Sequence, residues 1–197
     1  FILAVSDTAI EKIAQEIVLP DESILVHTSG AISMDALSFA ATDHYGVFYP
    51  LQTFTKQRRI EIEDVPFCLE ASTSATYDVL AAMAGSLSRR VVDMNTESRK
   101  VLHLAAVFAN NFTNHMMKIS SDILEAHQFS PNLLHPLLVE TVNKLISIGA
   151  ENAQTGPAKR RDYRTLERHV ELLEENPELQ DIYRLISKHI SNTYTNE

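Results

Sequence analysis

The sequence predicts an α/β domain built on a parallel sheet, followed by an all-helical domain. Two observations carry this. The chain opens strand, helix, strand: ILAVSD (Ile2 to Asp7), an amphipathic stretch from Thr8 to Val18, then SILVHTSG (Ser23 to Gly30). That order is the right-handed crossover unit of a parallel sheet. After Asn95 no strand-like run recurs and helical periodicity continues to the end. The boundary is expected near residues 93–96, separating 1–93 from 94–197.

Within the first part, strands are expected at Ile2–Val5, Ile24–Val26, Gly46–Tyr49 (stopped by Pro50), Pro66–Glu70 and Ser88–Val92. A helix capped by Ser72 or Thr73 carries Tyr77, Leu80 and Met83 at helical spacing and is expected to stop at Gly85. Thr53 to Asp64 holds charge without clean periodicity and reads as a loop. In the second part, Thr96 to about Ala126 reads as one long helix or two joined pieces. Ser130-Pro131 restarts the chain towards Gly149, and Thr155-Gly156-Pro157 breaks it. Asp162 can cap a helix through Tyr163, Leu166, Val170 and Leu173. Asn176-Pro177 begins the last, with Leu179, Ile182, Ile186 and Ile190 on one face.

Composition narrows the function. The hydrophobic fraction of 45% and charged fraction of 22% are ordinary for a soluble globular protein. A net charge of −9 argues against nucleic acid, which requires a basic surface, and favours a small-molecule partner. No apolar run approaches the ~20 residues needed to span a bilayer. One cysteine, Cys68, excludes an internal disulfide and fits the cytoplasm. A chain that opens on Phe1 is expected to be a fragment of a longer protein. The sequence carries no phosphate-binding loop, no HExxH and no nucleophile elbow, and its histidines lack metal-ligand spacing.

Three constellations can carry chemistry. Open parallel sheets bind ligands at the carboxyl ends of their strands, where Ser6, Asp7, His27, Thr28 and Ser29 fall. The HTSG tetrad is either a site or an ordinary turn in which Ser and Thr satisfy local backbone groups. His103, Asn110 and Asn114 recur at spacings of seven and four on one helical face, with Asn111 beside them. They form either a hydrogen-bonded packing seam or the wall of a cleft. Five of the seventeen cations (Lys159, Arg160, Arg161, Arg164 and Arg168) crowd around one helix start. Most belong to a solvated face, while one or two can pair with a substrate carboxylate. Thr165 and His169, one turn apart, lie at the edge of that helix's apolar stripe.

Taken together, ILAVSDTAI, LVHTSGA, GVFYPLQTF, HLAAVFANNF and TGPAKRRDYRTLERH resemble a family of Rossmann-type NAD(P) oxidoreductases with an uncharacterised helical C-terminal domain. These are distant relatives of pyrroline-5-carboxylate reductase, ketopantoate reductase and the deazaflavin-dependent NADP oxidoreductases. The resemblance implies a partial Rossmann domain whose glycine-rich loop lies upstream of Phe1. It also implies a 6-phosphogluconate-dehydrogenase-like C-terminal domain that dimerises. It places NADP (or NAD) against Val5, Ser6, His27, Thr28 and Ser29. It assigns His103 as proton donor with Asn110 polarising the acceptor, and His27 as the alternative donor. Asn111 becomes a substrate contact by the same mapping, and Arg161, Thr165 and His169 are the substrate contacts expected from the cation-rich helix start and its apolar stripe. The family's HP is Tyr49-Pro50 here, and its RGD is Arg160-Arg161-Asp162. The implied activity is hydride transfer between nicotinamide and a small carbonyl or imine. The rival is a non-catalytic dinucleotide-binding sensor or scaffold.

Overall fold

The computed structural model describes residues 1–194 and divides into two compact units, meeting between Ser120 and Ser121. The first holds a five-stranded sheet in sequential order: β1 (Ile2–Leu3), β2 (Leu25–His27), β3 (Tyr45–Pro50), β4 (Phe67–Ala71) and β5 (Val91–Asp93). Strands β1, β2 and β3 are parallel, as are β4 and β5, so the sheet is mostly parallel. The exception is β3 against β4, which pair antiparallel with Tyr49 opposite Cys68. The chain between them has no crossover helix, and a parallel return needs one. The non-periodic Thr53–Asp64 stretch is therefore what an antiparallel return requires.

Side-chain alternation on β3 divides its neighbours between the two faces. Val47 and Tyr49 pack with Cys68, Leu102 and Met94 on one face. Phe48 points the other way, into a core with Val26, Phe67, Leu69 and Leu80. Helix α1 (Asp7–Glu16) buries Ile10 and Ala14 against Leu3, Leu25 and Leu37. Helix α2 (Ser74–Leu87) is capped by Thr73, whose hydroxyl accepts the Thr76 N–H. It does not stop at Gly85 as expected. It continues to Leu87 and ends where Ser88 turns extended and donates its hydroxyl to Val65 O at 2.7 Å.

Beyond β5 the chain is helical. Helix α3 (Thr96–Ala106), capped by Asn95, passes without interruption into a wide π-helical turn, Val107–Phe112, and then α4 (Thr113–Ala126). The expected long helix thus exists, with its irregularity in the middle. Helix α3 lies along the sheet from the Glu70 end towards the carboxyl ends of β2 and β3, as its contacts below show.

The second unit contains the end of α4 from Ser121, a 3₁₀ turn at Pro131–Leu134, α5 (His135–Ala153), α6 (Tyr163–Glu171) and α7 (Pro177–Thr193). Gly149, expected to end a helix, instead kinks α5 at φ 81°. Asp162 and Asn176 cap α6 and α7 as their positions predict. No side chain within α4 to α7 is fully buried. Among the described residues, no helix is long and apolar enough to cross a membrane.

Candidate active site

The HTSG tetrad folds into a loop that uses its own polar groups. His27 is wholly buried. Its Nδ1 accepts the Ser29 N–H at 3.1 Å, so the ring proton sits on Nε2, which donates to Ser33 O at 3.3 Å. Burial pushes the imidazole pKa down to about 4, which keeps it neutral. His27 therefore cannot serve as the alternative proton donor, because both ring nitrogens are spent on the loop. Ser29 is buried too, and its Oγ accepts the N–H groups of Ala31 and Ile32 at 3.1 Å each. It shapes the turn and does not offer a free hydroxyl to a ligand. Thr28 is half-buried, while Val5 and Ser6, just past β1, are exposed.

Gly30 explains why the tetrad ends in glycine. A Cβ there would lie 2.5 Å from His103 Nδ1 and 2.8 Å from both His103 Cγ and Tyr49 Cζ. Glycine is required by close approach, since two rings occupy the space a Cβ would need. The rings belong to a pair: Tyr49 Oη and His103 Nδ1 are 3.1 Å apart, with the rings edge-on at 72°. Burial raises the Tyr49 pKa, so the phenol keeps its proton at neutral pH. Strand β3 presents Tyr49 at its carboxyl end, and α3 brings His103 down onto it.

Beside this pair opens a cleft of about 650 Å³, between α3 with its π turn and the segment after β3. Tyr49 and His103 stand in its wall with Phe54, Ala106, Asn110 and Asn111. The wide turn lets adjacent Asn110 and Asn111 border the same space. Such turns inside helices are frequent at functional sites. Asn110, Asn111 and Asn114 are all exposed, so they do not form a buried packing seam, and Asn114 does not border the cleft.

A buried network sets the position of α3. Glu70, on β4, accepts the Thr96 N–H at 2.9 Å and the Thr96 hydroxyl at 2.8 Å. It also pairs with Arg99, which is fully buried. Arg99 reaches on to donate to Ile32 O at 2.6 Å, in the loop that follows Gly30. His103 lies one turn beyond Arg99, so the network holds helix, sheet and HTSG loop in one register. Sequence reasoning missed Tyr49, Glu70 and Arg99. The local signals were an arginine one turn before His103 and a tyrosine directly before Pro50, and nothing local marks Glu70.

In the second unit Thr165 commits its N–H and hydroxyl to the Asp162 cap, at 3.2 and 2.7 Å. Those bonds, foremost the hydroxyl's, hold the Asp162 carboxyl below its ordinary pKa. Thr165 is therefore a capping residue. Arg161 is exposed with φ 54°, the left-handed region that favours glycine. This is the position where the family's RGD carries glycine, so the backbone keeps that turn without it. His169, also exposed, bonds Tyr183 Oη through Nδ1 at 2.7 Å.

Residues 65–190 match the family model described as a domain of unknown function, DUF2520. No curated protein matches the sequence. Among solved structures, the chain is similar to the "putative NADP oxidoreductase BF3122" from Bacteroides fragilis. The identity is 40% and the TM-score 0.93, over 97% of this chain and 74% of that one. It is also similar to protein TM1727 from Thermotoga maritima, at 25% identity and a TM-score of 0.80, over 99% and 78% of the two chains. With the mostly parallel sheet and helical C-terminal region, these matches place the chain among Rossmann-type proteins, and it belongs to the DUF2520 family.

Proposed function

We propose that the protein is an NAD(P)-dependent oxidoreductase that transfers a hydride between nicotinamide and a small carbonyl or imine compound. The observation that carries this reading is the Tyr49–His103 pair, seated on Gly30 at the carboxyl end of β2 and bordering a cleft. A structure 40% identical that is described as a "putative NADP oxidoreductase" supports the cofactor class, with NADP preferred.

The residues at the strand ends fit a nicotinamide. Exposed Val5 offers an apolar surface for a flat ring, and Ser6 and Thr28 offer hydroxyls for its carboxamide. When bound, the cofactor supplies the hydride from its C4. The chain's own residues orient the acceptor and supply a proton to its oxygen or nitrogen. Tyr49 Oη and His103 Nδ1 hold each other at 3.1 Å, which leaves Nε2 as the atom that gives the proton. Asn110 polarises the acceptor and Asn111 holds its far side. A homodimer formed through the helical unit is part of this reading. On α5 alone Leu137, Val139, Val142 and Ile146 are more than half exposed, and a second copy would cover such a face.

The test is calorimetric titration of the full-length protein with NADPH and with NADH, followed by NADPH oxidation in the presence of small ketones and cyclic imines. Binding with oxidation of at least one acceptor supports the reading. Binding without oxidation of any acceptor favours a dinucleotide-binding sensor or scaffold, and no binding removes both.

A further inference from the structure

We infer that the cleft beside Tyr49 and His103 accepts an uncharged substrate: a neutral ketone, aldehyde or cyclic imine, with a hydroxyl or carbonyl group at its far end. The inference rests on the oxidoreductase reading and adds the substrate class to it. Among the described residues, none that borders the cleft is Asp, Glu, Lys or Arg. Its walls are Leu51, Phe54, Leu102, Ala106 and Val107, and its polar groups are neutral or supplied by the His103 pair.

The neighbouring charges are directed elsewhere. Arg99, one turn before His103, is buried against Glu70 and Ile32 O. Lys100 pairs with Glu97 at 2.9 Å. Lys56, Arg58 and Arg59 follow Phe54 in its loop without bordering the cleft. A carboxylate brought into such a space loses hydration and meets no cation, which is unfavourable. The volume of about 650 Å³ lies within the range of small-molecule sites. Seven residues separate His103 from Asn110, roughly 10 Å along a helix at ~1.5 Å per residue. An acceptor with its reacting bond at His103 and a polar end at the amides is then one ring with a short substituent. In the reaction the C=O or C=N π bond breaks, a hydride adds to carbon and a proton from His103 to the heteroatom. The acceptor is reduced, and the reduced nicotinamide dinucleotide is oxidised.

The experiment compares matched acceptors with the full-length protein and NADPH: pyrroline against pyrroline carboxylate, and cyclohexanone against oxocyclohexane carboxylate. Two readouts are taken, kcat/KM and binding by ligand-observed NMR, which needs no turnover. The neutral member of each pair is expected to lead by about tenfold or more in both, a difference of about 1.4 kcal/mol. Asn111→Arg, at an exposed position, is expected to shift the ratio towards the carboxylate by a similar factor. Equal or better use of the carboxylates by the wild type overturns the inference, as does binding of neither class. If the neutral compounds bind preferentially but none is reduced, the substrate class stands and the oxidoreductase reading falls.

Discussion

Gly30→Ala adds one methyl group at the point where the HTSG loop, β3 and α3 meet. From the backbone as it stands, that methyl lies 2.5 Å from His103 Nδ1, whereas ordinary contact begins near 3.4 Å. The imidazole must withdraw by about 0.9 Å, and Tyr49 Cζ, at 2.8 Å, must also give way. Neither ring is the end of a flexible chain: each restrains the other through their hydrogen bond. Overpacking of this kind costs about 1–3 kcal/mol. In a chain of this size that is a fall in Tm of roughly 2–12 °C, at about 2–4 °C per kcal/mol. Thermal unfolding of the single variant and of Gly30→Ala in a His103→Ala background forms a cycle. Removing the imidazole makes room, so the alanine should cost at least about 1 kcal/mol less in that background. A neutral Gly30→Ala, or an equal cost in both backgrounds, would refute the close approach.

The same part of the fold sets four more expectations. His103→Ala should lower turnover about 100-fold or more while NADPH affinity, read by calorimetry, changes little. Tyr49→Phe, losing one hydrogen bond worth about 0.5–1.5 kcal/mol, should lower turnover roughly 2- to 10-fold. Arg99→Met leaves Glu70 without its buried partner and should cost about 3–5 kcal/mol in urea unfolding. Adding Glu70→Gln should cost less than the two single losses combined, and strict additivity would contradict the pair. His27 has a folded pKa of about 4, below the ordinary 6.5, so on acidification the unfolded chain takes up this proton first. Its contribution is full above pH 6.5 and lost as pH falls through 4, by at most about 3 kcal/mol. His27→Gln can keep both hydrogen bonds, and its stability should depend less on pH across that window. An unchanged slope would show that His27 is not the titrating group.

How far the sequence revealed this arrangement depended on the range of each interaction. Caps are local, so Asp162 and Asn176 could be placed from the residues that follow them, and Thr73 was one of two candidates. The strands of the sheet were visible in their β-branched and aromatic runs. The direction of β4 was not read, because it depends on the absence of a crossover helix, not on the strand's own residues. His103 and the asparagines stood out as polar residues on an Ala-rich helix, but their environment was misjudged. A regular helix puts His103, Asn110 and Asn114 on one face, and the π turn brings Asn110 and Asn111 to the cleft instead. Tyr49 meets His103 across 54 positions of chain, and Arg99 meets Glu70 across 29. Nothing local marks such pairs. The role of Gly30 is equally non-local: its glycine is required by two rings from other elements, not by its own turn.

The proposed nicotinamide site consists of the strand ends and the Tyr49–His103 pair. A crystal structure of the full-length protein with NADPH measures that directly. The nicotinamide is expected against Val5, Ser6 and Thr28, with its C4 facing the cleft. The space between C4 and the imidazole should then fit an acceptor at reacting distances of about 3–3.5 Å. A nicotinamide ring bound away from Gly30, or with C4 turned from His103, would contradict it.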